Sequence, residues 1–348
     1  MFSFLRPYIF SLDPEAAHNL AIQALRFNFI PESFFCVNDE KILSTNLFGK
    51  KLKNPIGLAA GFDKSAEVYN SLYKIGFGFV EVGTITPKRQ LGNLKPRIFR
   101  LEKDRAMINR LGFNNDGLQV VLDRILNNPP EGTLGINIGP NKETENKVND
   151  FQTCLLKLHP QADYVTINIS SPNTAGLRDF HEKNSLSELL NQLSQLKKKN
   201  KINKPLLLKI SPDIKDKDLI HISELIFKYK INGVILSNTT DKNRENLADK
   251  DKNEKGGLSG LPIRDLSTQL IRKFYKETNG KIPIIGVGGI DSGEAAFEKI
   301  SAGATAVQLY TGMVYKGPGI VKDIKKDLIQ ILKKQNIKSI SEAIGINS

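Results

Sequence analysis

Five asparagines, Asn109, Asn137, Asn168, Asn173 and Asn238, fall at or near the ends of short apolar runs in a chain of 348 residues. An asparagine amide offers both a donor and an acceptor, so a group of them suits the edge of a planar ligand in which imide N–H and C=O alternate. Loop asparagines also cap turns, and each residue taken singly admits that reading. Lys209 ends the apolar run Leu206-Leu207-Leu208. An ammonium turned inward there needs an anionic partner to stay charged, whereas one at the edge can reach solvent along its aliphatic stem. Two glycine-rich segments, Gly286-Val287-Gly288-Gly289 and Tyr310-Thr311-Gly312, let backbone N–H groups approach a phosphate, and serve equally for tight turns. The four histidines, His18, His159, His181 and His221, lie away from the run ends, so no Ser/His/Asp triad or metal cluster is readable.

The elements that must position these groups alternate. Eight short β-rich runs, 55–60, 79–82, 135–138, 164–170, 206–210, 233–237, 284–287 and 306–309, are separated by helical patterns. Runs apolar on both faces indicate parallel strands covered on both sides, and eight in βα order close a (β/α)8 barrel, with a doubly wound open sheet as the alternative. A barrel forms its active site at the C-terminal strand ends. There the sequence sets Ala59 to Lys64, Gly83-Thr84, Asn137, Asn168 with Ser170 to Thr174, Lys209, Ser237 to Thr239, and the two glycine-rich segments. The charged, Asn-rich stretch 241–255 reads as a mobile loop.

The first forty residues differ from the rest, holding seven of the 18 phenylalanines: Phe2, Phe4, Phe10, Phe27, Phe29, Phe34 and Phe35. Residues 2–10 read as a short apolar helix. A second helix follows, with Asp13 as N-cap, Pro14 at its first position, and Ala17, Leu20, Ala21, Ala24 and Leu25 on one face. Two such helices have no core of their own, so they pack on the main body, on each other, or into a membrane interface.

Hydrophobic residues at 40% and charged residues at 25% describe a globular chain, and 50 basic against 37 acidic residues give +13, which favours an anionic partner. The lysines are not interleaved with stacking aromatics, which argues against nucleic acid. Cys36 and Cys154 have no pairing or zinc spacing, which fits a reducing compartment. Pro7, Asp13 and Glu15 interrupt what a secretory signal needs, and no run reaches about 18 apolar residues.

The strings AAGFDK, VGTITP, PRIFRL, INRLGFNN, NISSPNTAGLR, SNTT, GGLSG, GVGGI and VQLYTG, in this order and spacing, resemble class 2 dihydroorotate dehydrogenase, the FMN barrel of pyrimidine synthesis. The likeness covers nearly the whole chain, including PEAAHNLA. It implies a TIM barrel over 41–348 preceded by a helical membrane and quinone-access segment over 1–40. It also implies oxidation of (S)-dihydroorotate to orotate, with FMN taking the hydride and a membrane quinone the electrons, on the path to UMP. Residue by residue, Ala60, Gly61, Lys64, Thr84, Asn137, Asn168, Lys209, Ser237, Gly260, Gly289, Tyr310 and Thr311 match the family's FMN contacts. Lys64, Asn109, Arg110, Leu111, Gly112, Phe113, Asn168, Asn173, Asn238 and Thr239 match its substrate contacts. Ser171 matches the catalytic base, and His18 and Arg100 fall where the family lines its quinone tunnel. Ala175 stands where proline is common, and Ser65 where asparagine is frequent.

The chemistry this implies has Ser171 taking a proton from C5 while hydride leaves C6, with Lys209 stabilising charge toward flavin N1 and O2. Serine is a poor base, so its proton passes onward and activity rises with pH. Class 1 relatives, which use fumarate or NAD, carry cysteine at this position, and a basic barrel binding nucleic acid or lipid without turnover is the non-enzymatic alternative. The resemblance further implies a monomer held peripherally on the cytoplasmic face of a bacterial inner membrane.

Overall fold

The computed structural model describes residues 2–27, 39–174 and 176–348. Cys36, Ala175, Phe29, Phe34 and Phe35 lie outside the described residues. The chain opens with α1 (Phe2–Ser11) and α2 (Pro14–Arg26). Asp13 Oδ1 accepts from the amides of Glu15 and Ala16 at 3.0 and 2.9 Å, satisfying two of the N–H groups that the helix start leaves orphaned. A hairpin of β1 (Thr45–Leu47) and β2 (Lys50–Leu52) leads into β3 (Ile56–Leu58), α3 (Tyr69–Ile75) and β4 (Phe79–Ile85). Next come the antiparallel pair β5 (Ile98–Leu101) and β6 (Ala106–Asn109), then α4 (Leu118–Asn127), β7 (Thr133–Ile138), α5 (Lys147–Leu158) and β8 (Tyr164–Asn168). The order continues with α6 (Lys183–Lys199), β9 (Leu206–Ile210), α7 (Asp216–Lys228), β10 (Gly233–Leu236) and β11 (Gly257–Gly260). The chain closes through α8 (Arg264–Glu277), β12 (Ile284–Val287), α9 (Gly293–Ser301), β13 (Ala306–Leu309), α10 (Thr311–Lys316) and α11 (Ile320–Lys334).

Strands β3, β4, β7, β8, β9, β10, β12 and β13 form a closed parallel barrel, so the eight expected runs are the eight staves and the open-sheet alternative falls. Closure follows from the last pairing, β13 against β3, with Val307 opposite Ile56. The barrel's N-terminal end is plugged by Leu47 and Leu52 of the hairpin, which pack with Phe79, Tyr164, Leu207, Ile235 and Ile285. Each such buried side chain contributes about 1.5–3 kcal/mol relative to exposure, which makes this end a stability face and leaves the other for chemistry. Gly135 is required here by close approach: a Cβ on it would lie 2.1 Å from the Tyr164 ring.

The stretch 241–255 is tied down rather than loose. Arg244 donates to the carbonyls of Lys252, Glu254 and Gly256, and Asp104 accepts from the amides of Ala248 and Asp249 at 2.9 and 3.0 Å. Arg244, a charge of the stretch itself, supplies three of these five bonds.

Candidate active site

The C-terminal strand ends surround one open cleft, lined by residues of the staves' loops and of the small antiparallel sheet. Nearly all the expected residues meet there. Ala60, Gly61, Lys64, Thr84, Asn168, Lys209, Ser237, Gly260, Gly289, Tyr310 and Thr311 line it, as do Asn109, Leu111, Gly112, Phe113, Ser171, Asn173, Asn238 and Thr239. Four expected residues do not line it. Asn137 lies beneath, bonded to Thr84 and Asn168. Arg110 turns outward to Glu254 at 2.7 Å, and His18 and Arg100 stand behind the wall on the side of the N-terminal helices.

The asparagines divide into two groups. Asn168 Nδ2 donates to Thr84 Oγ1 at 3.0 Å and to Asn137 Oδ1 at 3.1 Å, and Asn137 Nδ2 donates to Glu81 Oε1 at 2.8 Å. Glu81 is fully buried inside the barrel, where its other oxygen accepts from Tyr164, Thr166 and Gln308. An unpartnered carboxylate there would cost several kcal/mol, and these donors remove that cost while fixing the amide orientations above. The sequence signal for Glu81 is a lone acid within the apolar run Phe79 to Val82. The second group is Asn173, whose Nδ2 donates to the Asn109 carbonyl at 3.1 Å. That bond joins the β8–α6 loop to the small antiparallel sheet β5-β6-β11, which roofs the cleft with Ile98, Met107 and Ser259.

Ser171 is buried on the same loop, and its Oγ accepts from the Asn173 amide at 3.2 Å. Arg178 holds the loop from behind, donating to the Ser170 and Thr239 carbonyls at 3.3 Å each and pairing with Asp213 and Asp241 at 3.2 Å. Asn114, next to the expected 109–113 stretch, also lines the cleft. Its Oδ1 is buried with no hydrogen-bond partner among the described residues, an acceptor that fits a ligand N–H.

Two lysines bring positive charge. Lys209 is buried, which pushes its ammonium below the usual lysine value, against the raising influence of Glu81. The inward reading of Lys209 is therefore the correct one of the two. Lys64 is half-buried; lost hydration pushes it down to about 8, while Glu15 and Asp63 favour its charge. His18 Nε2 lies 3.2 Å from Lys64 Nζ, and desolvation, then the Lys64 charge, lowers His18 to about 3. His18 also meets the Phe62 ring edge-on at 5.1 Å, and Phe62 meets Tyr310 at 5.8 Å. An aromatic path thus runs from α2 to the cleft wall. Arg100 caps the end of α1 by donating to the Phe10 and Leu12 carbonyls at 2.8 and 3.2 Å, its guanidinium 4.7 Å from the Phe10 ring centroid. Glu15 of α2 is clamped to Arg97 through two hydrogen bonds of 3.0 and 2.6 Å.

The residues present fit FMN. Among the described residues the Gly288 and Gly289 amides donate to no protein acceptor, and both line the cleft. Gly289 adopts φ +69°, and a Cβ on it would lie 2.5 Å from Arg264 Cβ, so only glycine leaves the backbone bare for an anion. Donors and acceptors for a flat heterocycle converge from Thr84, Asn168, Ser237 and Lys209.

The family model for dihydroorotate dehydrogenase matches residues 42–332. A protein of Rhodospirillum rubrum named dihydroorotate dehydrogenase (quinone) is 45% identical over 341 residues, covering 97% of this chain and 92% of its own. The mouse mitochondrial protein of the same name is 44% identical, covering 97% and 87%. A crystal structure of the Eimeria tenella DHODH in complex with ferulenol superimposes with a TM-score of 0.92 at 39% identity, covering 96% of each chain. The chain belongs to the dihydroorotate dehydrogenase family, among its quinone-dependent members.

Proposed function

We propose that this protein oxidises dihydroorotate to orotate in pyrimidine biosynthesis, with FMN as the immediate hydride acceptor, a membrane quinone as the final one, and Ser171 as the catalytic base. The observation that carries the reading is the convergence of Ser171, two lysines and five asparagines on one cleft of family geometry. FMN, when bound, would supply a two-electron acceptor for the hydride leaving C6 and a donor of those electrons toward a quinone. Gly289, Gly260, Thr311 and Tyr310 would hold its phosphate end, and Ala60, Gly61, Thr84, Asn168, Ser237 and Lys209 its ring.

Ser171 Oγ takes the C5 proton. The Asn173 amide donates to that oxygen and so favours its proton-poor form, and the serine's own proton passes on to water. Lys64 offers its ammonium to the substrate carboxylate. Asn109, Asn173 and Asn238 present amides to the pyrimidine edges, with Asn168 and Thr239 beside them, and Leu111, Gly112 and Phe113 close the pocket around it. Lys209 counters negative charge building at the cleft floor.

The 1–40 segment forms the membrane and quinone-access part in this reading, and 41–348 the catalytic barrel. Phe4, Leu5, Tyr8, Leu12 and Leu20 stand exposed on α1 and α2 and the link between them, a surface suited to the acyl boundary. Among the described residues no helix is long and apolar enough to cross a membrane, which agrees with peripheral attachment. His18 and Arg100 line the quinone route. The proposed setting is a monomer on the cytoplasmic face of a bacterial inner membrane. Anaerobic titration tests the reading: dihydroorotate bleaches the flavin band of the purified protein and a quinone restores it, whereas a colourless protein, or a flavin that dihydroorotate leaves oxidised, overturns it.

A further inference from the structure

Lys299 is the one lysine of α9, and it is completely enclosed, at 0% exposure. Its ammonium donates to the Arg264 carbonyl at 3.2 Å, Ser267 Oγ at 3.1 Å and Thr268 Oγ1 at 3.0 Å, all in the first turn and a half of α8. Among the described residues no carboxylate pairs with it, although a buried charge is costly without a counter-ion. The neighbouring acid, Glu298, is bound instead to the Arg264 guanidinium at 2.5 and 2.8 Å.

What lies in front of this ammonium is the glycine loop. Ser267 accepts from Lys299 and donates its own hydroxyl proton to the Val287 carbonyl, which also accepts from the Ser237 amide at 3.0 Å. The Val287 carbonyl and the Gly288 amide belong to one planar peptide and point in opposite directions. With the carbonyl held by Ser267 of α8 and by the Ser237 amide at the end of the neighbouring β10, the Gly288 N–H is turned away from both, and a chain of donors ending on that carbonyl polarises the N–H further. A Cβ on Gly288 would lie 3.0 Å from Ser267 Cβ, so the loop rests directly on the residue that relays the charge.

We propose that Lys299 is a positioning residue for the phosphate group of the flavin: through Ser267 it fixes the 287–288 peptide with its amide presented to the cleft, and it supplies the buried positive charge behind that loop. The inference rests on the FMN reading above. Burial pushes the Lys299 ammonium down to about 7, against the raising influence of Glu298, so a dianion arriving across the loop draws it toward its charged form.

The test compares FMN with riboflavin, which has the same ring and no phosphate, by fluorescence titration of the flavin-stripped protein. Wild-type protein prefers FMN strongly. Lys299→Met, an uncharged side chain of similar length, lowers that preference tenfold or more through FMN alone, leaving riboflavin affinity within about twofold. Ser267→Ala, which cuts the relay and removes a single hydroxyl, lowers it in the same sense by a smaller factor and decides the matter if the lysine variant fails to fold. An unchanged FMN-to-riboflavin ratio in the folded variants overturns the role of Lys299. A wild-type protein that binds neither flavin, or both equally, overturns the FMN reading itself.

Discussion

Lys64 Nζ stands 3.2 Å from His18 Nε2, so one ammonium belongs both to the cleft and to the groove beneath α2. His18, lowered to about 3, is neutral throughout the working range and accepts from Lys64, which is lowered to about 8. Below about 8 the lysine is charged and attracts the orotate carboxylate; above it the amine is neutral. Orotate affinity therefore falls as pH rises from 7 to 9.5, by at most about tenfold per unit. In the same window the unfolded chain holds the proton that the folded one has lost, so Lys64 adds to folding stability as pH climbs from about 8 toward the ordinary lysine value. Orotate titration across this range, read through the flavin spectrum, checks the first effect, and a flat profile removes Lys64 from the carboxylate.

Ser171→Ala keeps the flavin and slows its reduction by dihydroorotate about 10²- to 10⁴-fold. The substitution deletes one hydrogen bond from the Asn173 amide, a change of about 0.5–1.5 kcal/mol that cannot unfold a barrel of this size. Stopped-flow reduction at saturating substrate measures it, and a near-normal rate sinks the assignment.

Arg178→Met releases the loop that carries Ser171 from Asp213, Asp241 and the Thr239 carbonyl together. The expected result is a reduction rate lower by roughly 10- to 100-fold, the scale for displacement of a reacting group by about 1 Å, at unchanged flavin content. Substrate affinity falls with it, since Asn173 rides on the same loop. Loss of flavin instead would mean that the guanidinium supports the barrel rather than the loop.

Phe4 and Tyr8 are 83% and 75% exposed on α1, while Phe10 is anchored on Tyr315 at 5.4 Å and Phe2 lies against Gly317. Substituting Phe4→Glu and Tyr8→Glu together leaves the helix docked and charges its outer face. Co-sedimentation with phospholipid vesicles drops several-fold, and flavin reduction by dihydroorotate stays unaltered. Equal sedimentation of variant and parent would assign that face to something other than a bilayer.

The eight staves, the capped helix at Asp13 and the clustering of small and amide residues at strand ends are legible in the amino-acid order, because each is written in neighbouring residues: apolar runs, a capping side chain before a proline, glycines in pairs. Long-range pairing set the roof, since β6 and β11 join Ala106 to Gly260 across some 150 positions and no local period announces such a partner. Tertiary packing likewise turns Lys209 inward and Arg110 outward to Glu254, and pins 241–255 through Arg244. Glu81 and Lys299 show the same limit from the other side. A charge inside an apolar pattern is visible in the sequence, but which carbonyls and hydroxyls make its burial tolerable depends on strands and helices brought together by closing the barrel.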